Sequence, residues 1–280
     1  IGFSAMFSGE WPVLRELIKR ARERHPDALF VAGGEHASAL SEYCLRDCSA
    51  LDACIKGEGE YPFLELVKSW SEKNKIPAAP GIVYLDSNGS LVIPSKEIYR
   101  IRKIDEIPWP YWPEGYLEKF WAAGKTHGLS TGRDMPIMFS RGCPYSCTFC
   151  SNVQMYTNRY VIRSVDDVIN EIKKYVDRYE ITGLQAYDLT AIVKKKWVIE
   201  FCNKLKTAGL GNLRWQLPNG TRSEALDKET LSLLKETNCN YLVYAPESGS
   251  VESLIKIKKK IKLDKMTDSI LEARRQGITT

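Results

Sequence analysis

Short apolar runs that end in a turn, each followed by a stretch of helical periodicity, recur along almost the whole of this 280-residue chain. Gly2–Phe7 is such a run, closed by Ser8-Gly9, and Pro12 stands where a first helical turn begins. Leu14, Leu17, Ile18 and Ala21 then follow helical spacing. Ala28–Ala32 ends in Gly33-Gly34, and Ala53–Lys56 ends in Gly57-Glu58-Gly59-Glu60. Strands joined by helices imply right-handed βαβ units and a parallel sheet, whose ligands gather at the carboxyl ends of the strands. Residues 1–75 therefore read as the second half of a doubly wound, Rossmann-like domain.

Residues 76–135 break the alternation. Ile82–Leu85 and Leu91–Ile93 flank Asn88-Gly89, a hairpin signal, and Pro108-Trp109-Pro110-Tyr111-Trp112-Pro113 forbids regular structure. This stretch is expected to be a connection carrying its own hairpin. From Pro136 the alternation resumes, with strands expected at Ile137–Ser140, Leu184–Leu189, Leu213–Leu217 and Tyr241–Ala245, and a fifth opening at Ile278. Ser164 with Asp167 forms a helix cap, followed by Val165, Val168, Ile169, Ile172, Tyr175, Val176 and Tyr179 on one stripe. Further helices are expected at Lys195–Ala208, from Asp227 to about Thr237, and at Val251–Arg275. Successive βα units of this length predict a full or partial (β/α) barrel over 136–280. The fold class is α/β, and both ends look cut, because the chain opens inside an apolar run without Met and stops at Ile278-Thr279-Thr280.

Composition excludes several classes. Hydrophobic residues at 44% and charged residues at 27% argue against disorder. No apolar run approaches the ~18 residues of a membrane span, and Ile1–Gly9 lacks the basic start of a signal peptide, which points to the cytoplasm. The net charge of +5 divides into −2 over residues 1–80 and +7 over the remainder. Five lysines between Lys256 and Lys262 supply much of that excess, and read as a solvated helix face rather than a nucleic-acid patch. With three histidines, histidine-based metal sites have little room. Eight cysteines are too unevenly spaced for a secreted disulfide scaffold.

Three of those cysteines fall within eight residues: Ser140-Arg141-Gly142-Cys143-Pro144-Tyr145-Ser146-Cys147-Thr148-Phe149-Cys150, directly after the first expected barrel strand. Thiolates so spaced on a loop can wrap one metal centre. A structural zinc site needs a fourth Cys or His. Cys202 and Cys239 stand isolated in a helical stripe and before a strand, and Cys44, Cys48 and Cys54 read as small buried residues. Three thiolates without a fourth suggest an iron–sulfur cluster with one iron open to a small molecule.

This spacing, with an aromatic before the last cysteine, resembles the radical S-adenosylmethionine superfamily. The resemblance implies that Cys143, Cys147 and Cys150 hold a 4Fe-4S cluster whose open iron chelates S-adenosylmethionine (SAM), with Phe149 beside it. Reductive cleavage then yields a 5'-deoxyadenosyl radical. Arg214–Arg222 resembles the family's third βα unit and Tyr244–Ser250 its fourth strand end, so Gln216, Asn219, Arg222 and Glu247 are expected to meet SAM. The family's Gly-Gly-Glu after the second strand is replaced by Gln185-Ala186-Tyr187-Asp188-Leu189-Thr190, which leaves Tyr187 or Asp188 as candidates for the methionyl amine.

Residues 1–75 carry a second resemblance, to cobalamin-binding Rossmann domains. Ser4 and Met6 at the first strand end, and Gly33, Gly34, Glu35 and His36 at the next, resemble the slot for the nucleotide tail. A Gly pair there would let the backbone approach a flat ligand. His36 is not expected to be an axial cobalt ligand. Cys54–Tyr61 resembles the segment that precedes a radical domain in cobalamin-dependent members, with Glu58 and Glu60 expected to cap the helix at Pro62. The resemblance implies a cobalamin-dependent radical enzyme that methylates an unactivated carbon of a small-molecule substrate. It would draw electrons from a donor such as flavodoxin or ferredoxin and would be oxygen-sensitive. Anaerobic ring formation on a porphyrin monomethyl ester, and a non-catalytic cobalamin or cluster sensor, share the same parts.

Overall fold

A computed structural model describes residues 1–222 and 225–280. The chain forms two compact units, 1–102 with 150–158, and 103–149 with 159–280.

The first unit opens with β1 (Gly2–Ser4), α1 (Trp11–Arg24), β2 (Val31–Gly33), α2 (Glu35–Ala39), α3 (Ser41–Asp47), β3 (Ala53–Ile55) and α4 (Glu60–Lys73). β1, β2 and β3 pair in parallel, Ser4 opposite Gly33 and Ala32 opposite Cys54. The hairpin of β4 (Ile82–Leu85) and β5 (Leu91–Val92) forms as expected. It does not belong to a connection, however, because β4 pairs antiparallel with β3 and completes a five-stranded sheet, so this unit runs to residue 102 rather than 75. Two apolar cores cover the sheet: one gathers Trp11, Ile18, Phe30, Ala32, Cys44, Cys48 and Cys54, the other Val31, Ala53, Ile55, Leu66 and Ile82. Cys44, Cys48 and Cys54 are fully buried, as expected, and Leu17, expected on the buried stripe of α1, is exposed.

Glu58 does not cap a helix. It is buried, and its carboxylate accepts from Arg100 Nε at 3.0 Å and from the Ile101 backbone N–H, which clasps the strand-like segment after the hairpin.

The second unit contains α5 (Tyr116–Ala122), β6 (Asp134–Ile137) and β7 (Ser140–Arg141). Between its two segments, α6 (Asn152–Met155) belongs to the first unit, where Ser151 Oγ donates to Glu35 Oε2 at 2.9 Å. The chain continues through β8 (Val161–Ile162), α7 (Val165–Tyr179), β9 (Gly183–Ala186), α8 (Lys195–Thr207), β10 (Arg214–Thr221), α9 (Lys228–Glu236), β11 (Cys239–Tyr244), α10 (Val251–Lys256) and α11 (Leu263–Arg275). β6, β9, β10 and β11 lie side by side in chain order, all parallel, as successive βα units require. Thr279 bridges to Tyr241 in parallel, so the chain regains strand pairing at its end.

Alternation along the strands sorts the two faces. Met135, Ile137, Leu184, Ala186, Trp215 and Leu217 turn into one core with the helix stripes, which include Ile172, Phe201 and Leu234. The intervening Pro136, Gln185 and Gln216 turn to the other face. α7 begins where its cap predicts, Asp167 N donating to Ser164 Oγ at 3.3 Å, and Asp227 receives Thr230 N at 2.9 Å to open α9.

The helix expected over Val251–Arg275 is interrupted at residues 257–262. Lys258 takes a left-handed φ of 55°, and Lys259 N–H turns back to Leu254 O at 2.9 Å, a Schellman closure with lysine where glycine is usual. The lysine run is accordingly solvated for the most part but not a helix face: Lys256, Lys258, Lys260 and Lys262 are exposed, only Lys256 lies in a helix, and Lys259 is largely buried against Glu247.

Candidate metal and cofactor site

The cysteine loop is fixed at its base by a buried carboxylate. Asp188, just beyond β9, accepts from Phe139 N through both oxygens, at 3.1 and 3.0 Å, and from Ser140 Oγ at 2.5 Å. These are the residues that lead into Arg141–Cys150. Burial is the dominant influence on Asp188 and pushes its pKa up to about 6 in spite of those hydrogen bonds. Asp188 is therefore a support of the loop, 1% exposed and hydrogen-bonded through both carboxylate oxygens. Of the two residues expected to meet the methionyl amine, Tyr187 is the exposed one.

Beyond Ser140 the chain turns through Gly142, whose φ of 81° suits glycine, and reaches Cys143 and Cys147, both partly exposed. Thr148 N donates to Ile257 O at 3.0 Å, so the break between α10 and α11 holds the loop's far side. Arg222, at the carboxyl end of β10, lies with its guanidinium carbon 3.3 Å from the centroid of Tyr145, and Nη2 is 4.0 Å from Cys147 Sγ. A buried cation beside a sulfur that would become a thiolate is electrostatically suited to an anionic cluster. Glu247 follows β11 with a left-handed φ of 64°, and accepts from Lys259 Nζ at 2.9 Å. Lys259 also stands 5.9 Å from the ring of Phe149, which is 55% exposed.

The two glutamines on the inner face of the sheet are engaged with the chain before β6. Gln185 Oε1 accepts from His127 N and Gly128 N at 3.0 and 3.1 Å, and Gln216 Oε1 accepts from Leu129 N at 2.8 Å while its Nε2 donates to Leu129 O. Gln216 is thus a buried tether, not a group facing open space. The segment it holds presents His127, which no spacing signal in the sequence marks. Asn219 Nδ2 donates to Asp188 O at 2.9 Å, which turns its Oδ1 toward His127 Nε2 at 2.6 Å; the imidazole lies 5.0 Å from the ring of Tyr187. Tyr187, Asn219 and His127 therefore meet at the carboxyl ends of β9 and β10.

The loop offers three free thiols in eight residues, the number a cluster with one open position needs, yet among the described residues no three His, Cys, Asp or Glu side chains, these cysteines included, are gathered closely enough to hold a metal ion. Metal ligands are commonly drawn together by the metal itself.

In the first unit, Ser4 and Met6 are exposed at the carboxyl end of β1, next to the Gly33-Gly34 turn. The two glycines differ. A Cβ on Gly34, whose φ is 106°, would stand 2.7 Å from Ala5 O and 3.2 Å from Met6 Sδ, so this glycine serves the fold itself. A Cβ on Gly33 would find nothing nearer than Ile55 at 3.9 Å, which leaves its approach open to a ligand. Glu35 is half-buried and bound to Ser151. His36 is a core residue: its Nδ1 meets Ser8 Oγ at 2.9 Å, its ring packs on Trp11 at 5.2 Å, and burial lowers its pKa.

Residues 137–280 match the Radical SAM superfamily, and residues 1–67 match the B12 binding domain. The chain belongs to the radical SAM superfamily. An uncharacterized methyltransferase of Pyrococcus horikoshii is 28% identical to it over 260 residues, 93% of this chain and 54% of that protein. The cytidylyl-2-hydroxyethylphosphonate methyltransferase of Streptomyces wedmorensis is 28% identical over 304 residues, 99% of this chain and 55% of that protein. This radical SAM chain thus spans about half the length of those curated relatives. Among solved structures, the radical SAM methyltransferase TsrM of Kitasatospora setae, with tryptophan and a SAM analogue bound, shares the fold with a TM-score of 0.78 at 18% identity, over 99% of this chain and 55% of that one. No helix among the described residues is long and apolar enough to cross a membrane.

Proposed function

We propose that this chain is the cofactor-bearing core of a cobalamin-dependent radical SAM methyltransferase that methylates an unactivated carbon of a small molecule. The observation that carries the reading is the pairing, in one chain, of a B12 binding domain over 1–67 with a radical SAM domain whose three-cysteine loop leaves the first parallel strand. Bound together, a 4Fe-4S cluster, SAM and cobalamin supply a 5'-deoxyadenosyl radical and a transferable methyl group.

The chain's own residues account for the rest. Cys143, Cys147 and Cys150 would hold the cluster, and Asp188 keeps the loop's root in place through Phe139 and Ser140. Arg222, fixed over Tyr145, offers a buried positive charge next to Cys147. Tyr187, Asn219 and His127 form a polar wall at the strand ends, and Phe149 and Glu247 stand beside the loop's far side, where SAM would be oriented. Ser4, Met6 and Gly33 line the strand ends where the cobalamin tail would lie. A flavodoxin- or ferredoxin-class donor would supply electrons, and an oxygen-sensitive cluster suits a reducing cytoplasm.

The test is anaerobic reconstitution of the full protein with iron, sulfide and cobalamin, followed by SAM and a reductant in the presence of candidate substrates. Mass spectrometry would quantify 5'-deoxyadenosine and S-adenosylhomocysteine. Both products, absent from a Cys143, Cys147, Cys150→Ala triple variant, are expected. Deoxyadenosine alone would replace methyl transfer with ring formation, and neither product from cluster-loaded protein would refute an enzymatic role.

A further inference from the structure

The proline- and tryptophan-rich segment before the barrel has a place in the fold that the cofactor reading leaves unused. β6 is the edge strand of its sheet, and Ile104–Trp112 encloses, with Pro136, Ile137 and Met138 of that edge, a cavity of about 270 Å³. Its lining is mostly carbon. Prolines present rigid apolar faces, and both tryptophans are held: Trp109 Nε1 donates to Asp167 Oδ1 at 2.9 Å with Lys174 Nζ 5.2 Å from its ring, and Trp112 stacks on Tyr116 with centroids 6.0 Å apart. The wall is therefore preformed, which lowers the ordering cost of binding.

Of the three charged side chains that line the cavity, Arg141, Arg163 and Glu171, the last two are committed to each other. Arg163 donates to Asp167 from Nε at 2.7 Å and is paired with Glu171, itself the acceptor of Tyr175 O–H, so the guanidinium is not available to an anionic guest. Tyr187 also lines the cavity, and it stands beside His127 at the end of β9. Whole drug-sized ligands fill pockets of roughly 300–1,000 Å³, so this volume suits a part of a molecule.

We propose that this cavity seats a flat apolar group, one or two fused rings in size, of the enzyme's small-molecule substrate; that the guest is the substrate rests on the radical-enzyme reading. The test uses the full chain without cluster or SAM, titrated with 5-fluoroindole and followed by ¹⁹F NMR. Ile107→Trp would fill the cavity and Trp109→Ala would remove a wall; far-UV circular dichroism checks that each variant folds, and exposed Val251→Ala serves as control. Saturable binding by the wild type and the control, weakened about tenfold or more in both cavity variants, is expected. No saturable binding by the wild type, or equal binding by a folded Ile107→Trp variant, overturns the proposal. Since neither cofactor takes part, a failure of SAM cleavage would make the guest something other than a radical substrate and leave the ring site standing.

Discussion

Replacing Asp188 by asparagine isolates the cost of keeping a charged support beneath the cysteine loop. Burial raises the carboxyl from an ordinary 3.8 to about 6 in the folded chain. The native state therefore holds a proton that the unfolded chain has released between those values. Stability from this group is fully present below about pH 4 and is lost as pH rises through about 6. At 1.36 kcal/mol for each tenfold change in proton affinity, the loss between about pH 4 and about pH 7 is about 2–3 kcal/mol. The carboxamide of an Asp188→Asn variant cannot ionise, while its carbonyl oxygen can still accept from Ser140 Oγ and Phe139 N. The stability of the wild type minus that of Asp188→Asn should fall by that amount across the range, whatever its starting value. Urea unfolding at several pH values measures it, and fluorescence of Trp215, buried and 6.3 Å from Phe139, reports on the right unit. A difference that stays constant with pH would refute the reasoning.

Other substitutions separate structure from binding. Gly34→Ala should destabilise the first unit by about 2 kcal/mol or more in thermal unfolding, because a left-handed φ and a 2.7 Å approach to Ala5 O both penalise the new carbon. Gly33→Ala should change stability by less than about 1 kcal/mol yet weaken cobalamin binding, read from the corrin absorbance of the protein after gel filtration. Ser164→Ala removes the cap of α7 and should cost about 1 kcal/mol in urea unfolding. Glu171→Leu leaves the buried Arg163 with fewer partners and should cost about 3–5 kcal/mol by the same assay, or prevent folding of the second unit.

Local signals in the sequence carried most of the fold. Ser164, Asp167 and the stripe behind them set α7 because cap and periodicity act within a few residues. The Asn88-Gly89 turn set the hairpin in the same way, but which strand the hairpin joins depends on β3, some thirty residues earlier, and no local pattern states it. The break at Lys258 was hidden because its left-handed residue is a lysine, not a glycine. In the candidate site, the three cysteines stood out in the sequence because one loop carries them all. Asp188 and Gln216 were singled out as ligand contacts, yet both spend their polar atoms on the protein, through partners 48 to 87 residues away, and His36 gives Nδ1 to Ser8, 28 residues away. His127 was missed for the same reason: its place is set by Asn219, 92 residues on.

The central claim is that Cys143, Cys147 and Cys150 hold a cluster with one iron open to SAM. Electron paramagnetic resonance of the anaerobically reconstituted, dithionite-reduced protein tests it most directly, before and after addition of SAM. A 4Fe-4S signal that changes its g-values when SAM is added, and that is absent from the Cys143, Cys147, Cys150→Ala variant, is predicted. A signal indifferent to SAM, or one that survives loss of all three cysteines, would contradict it.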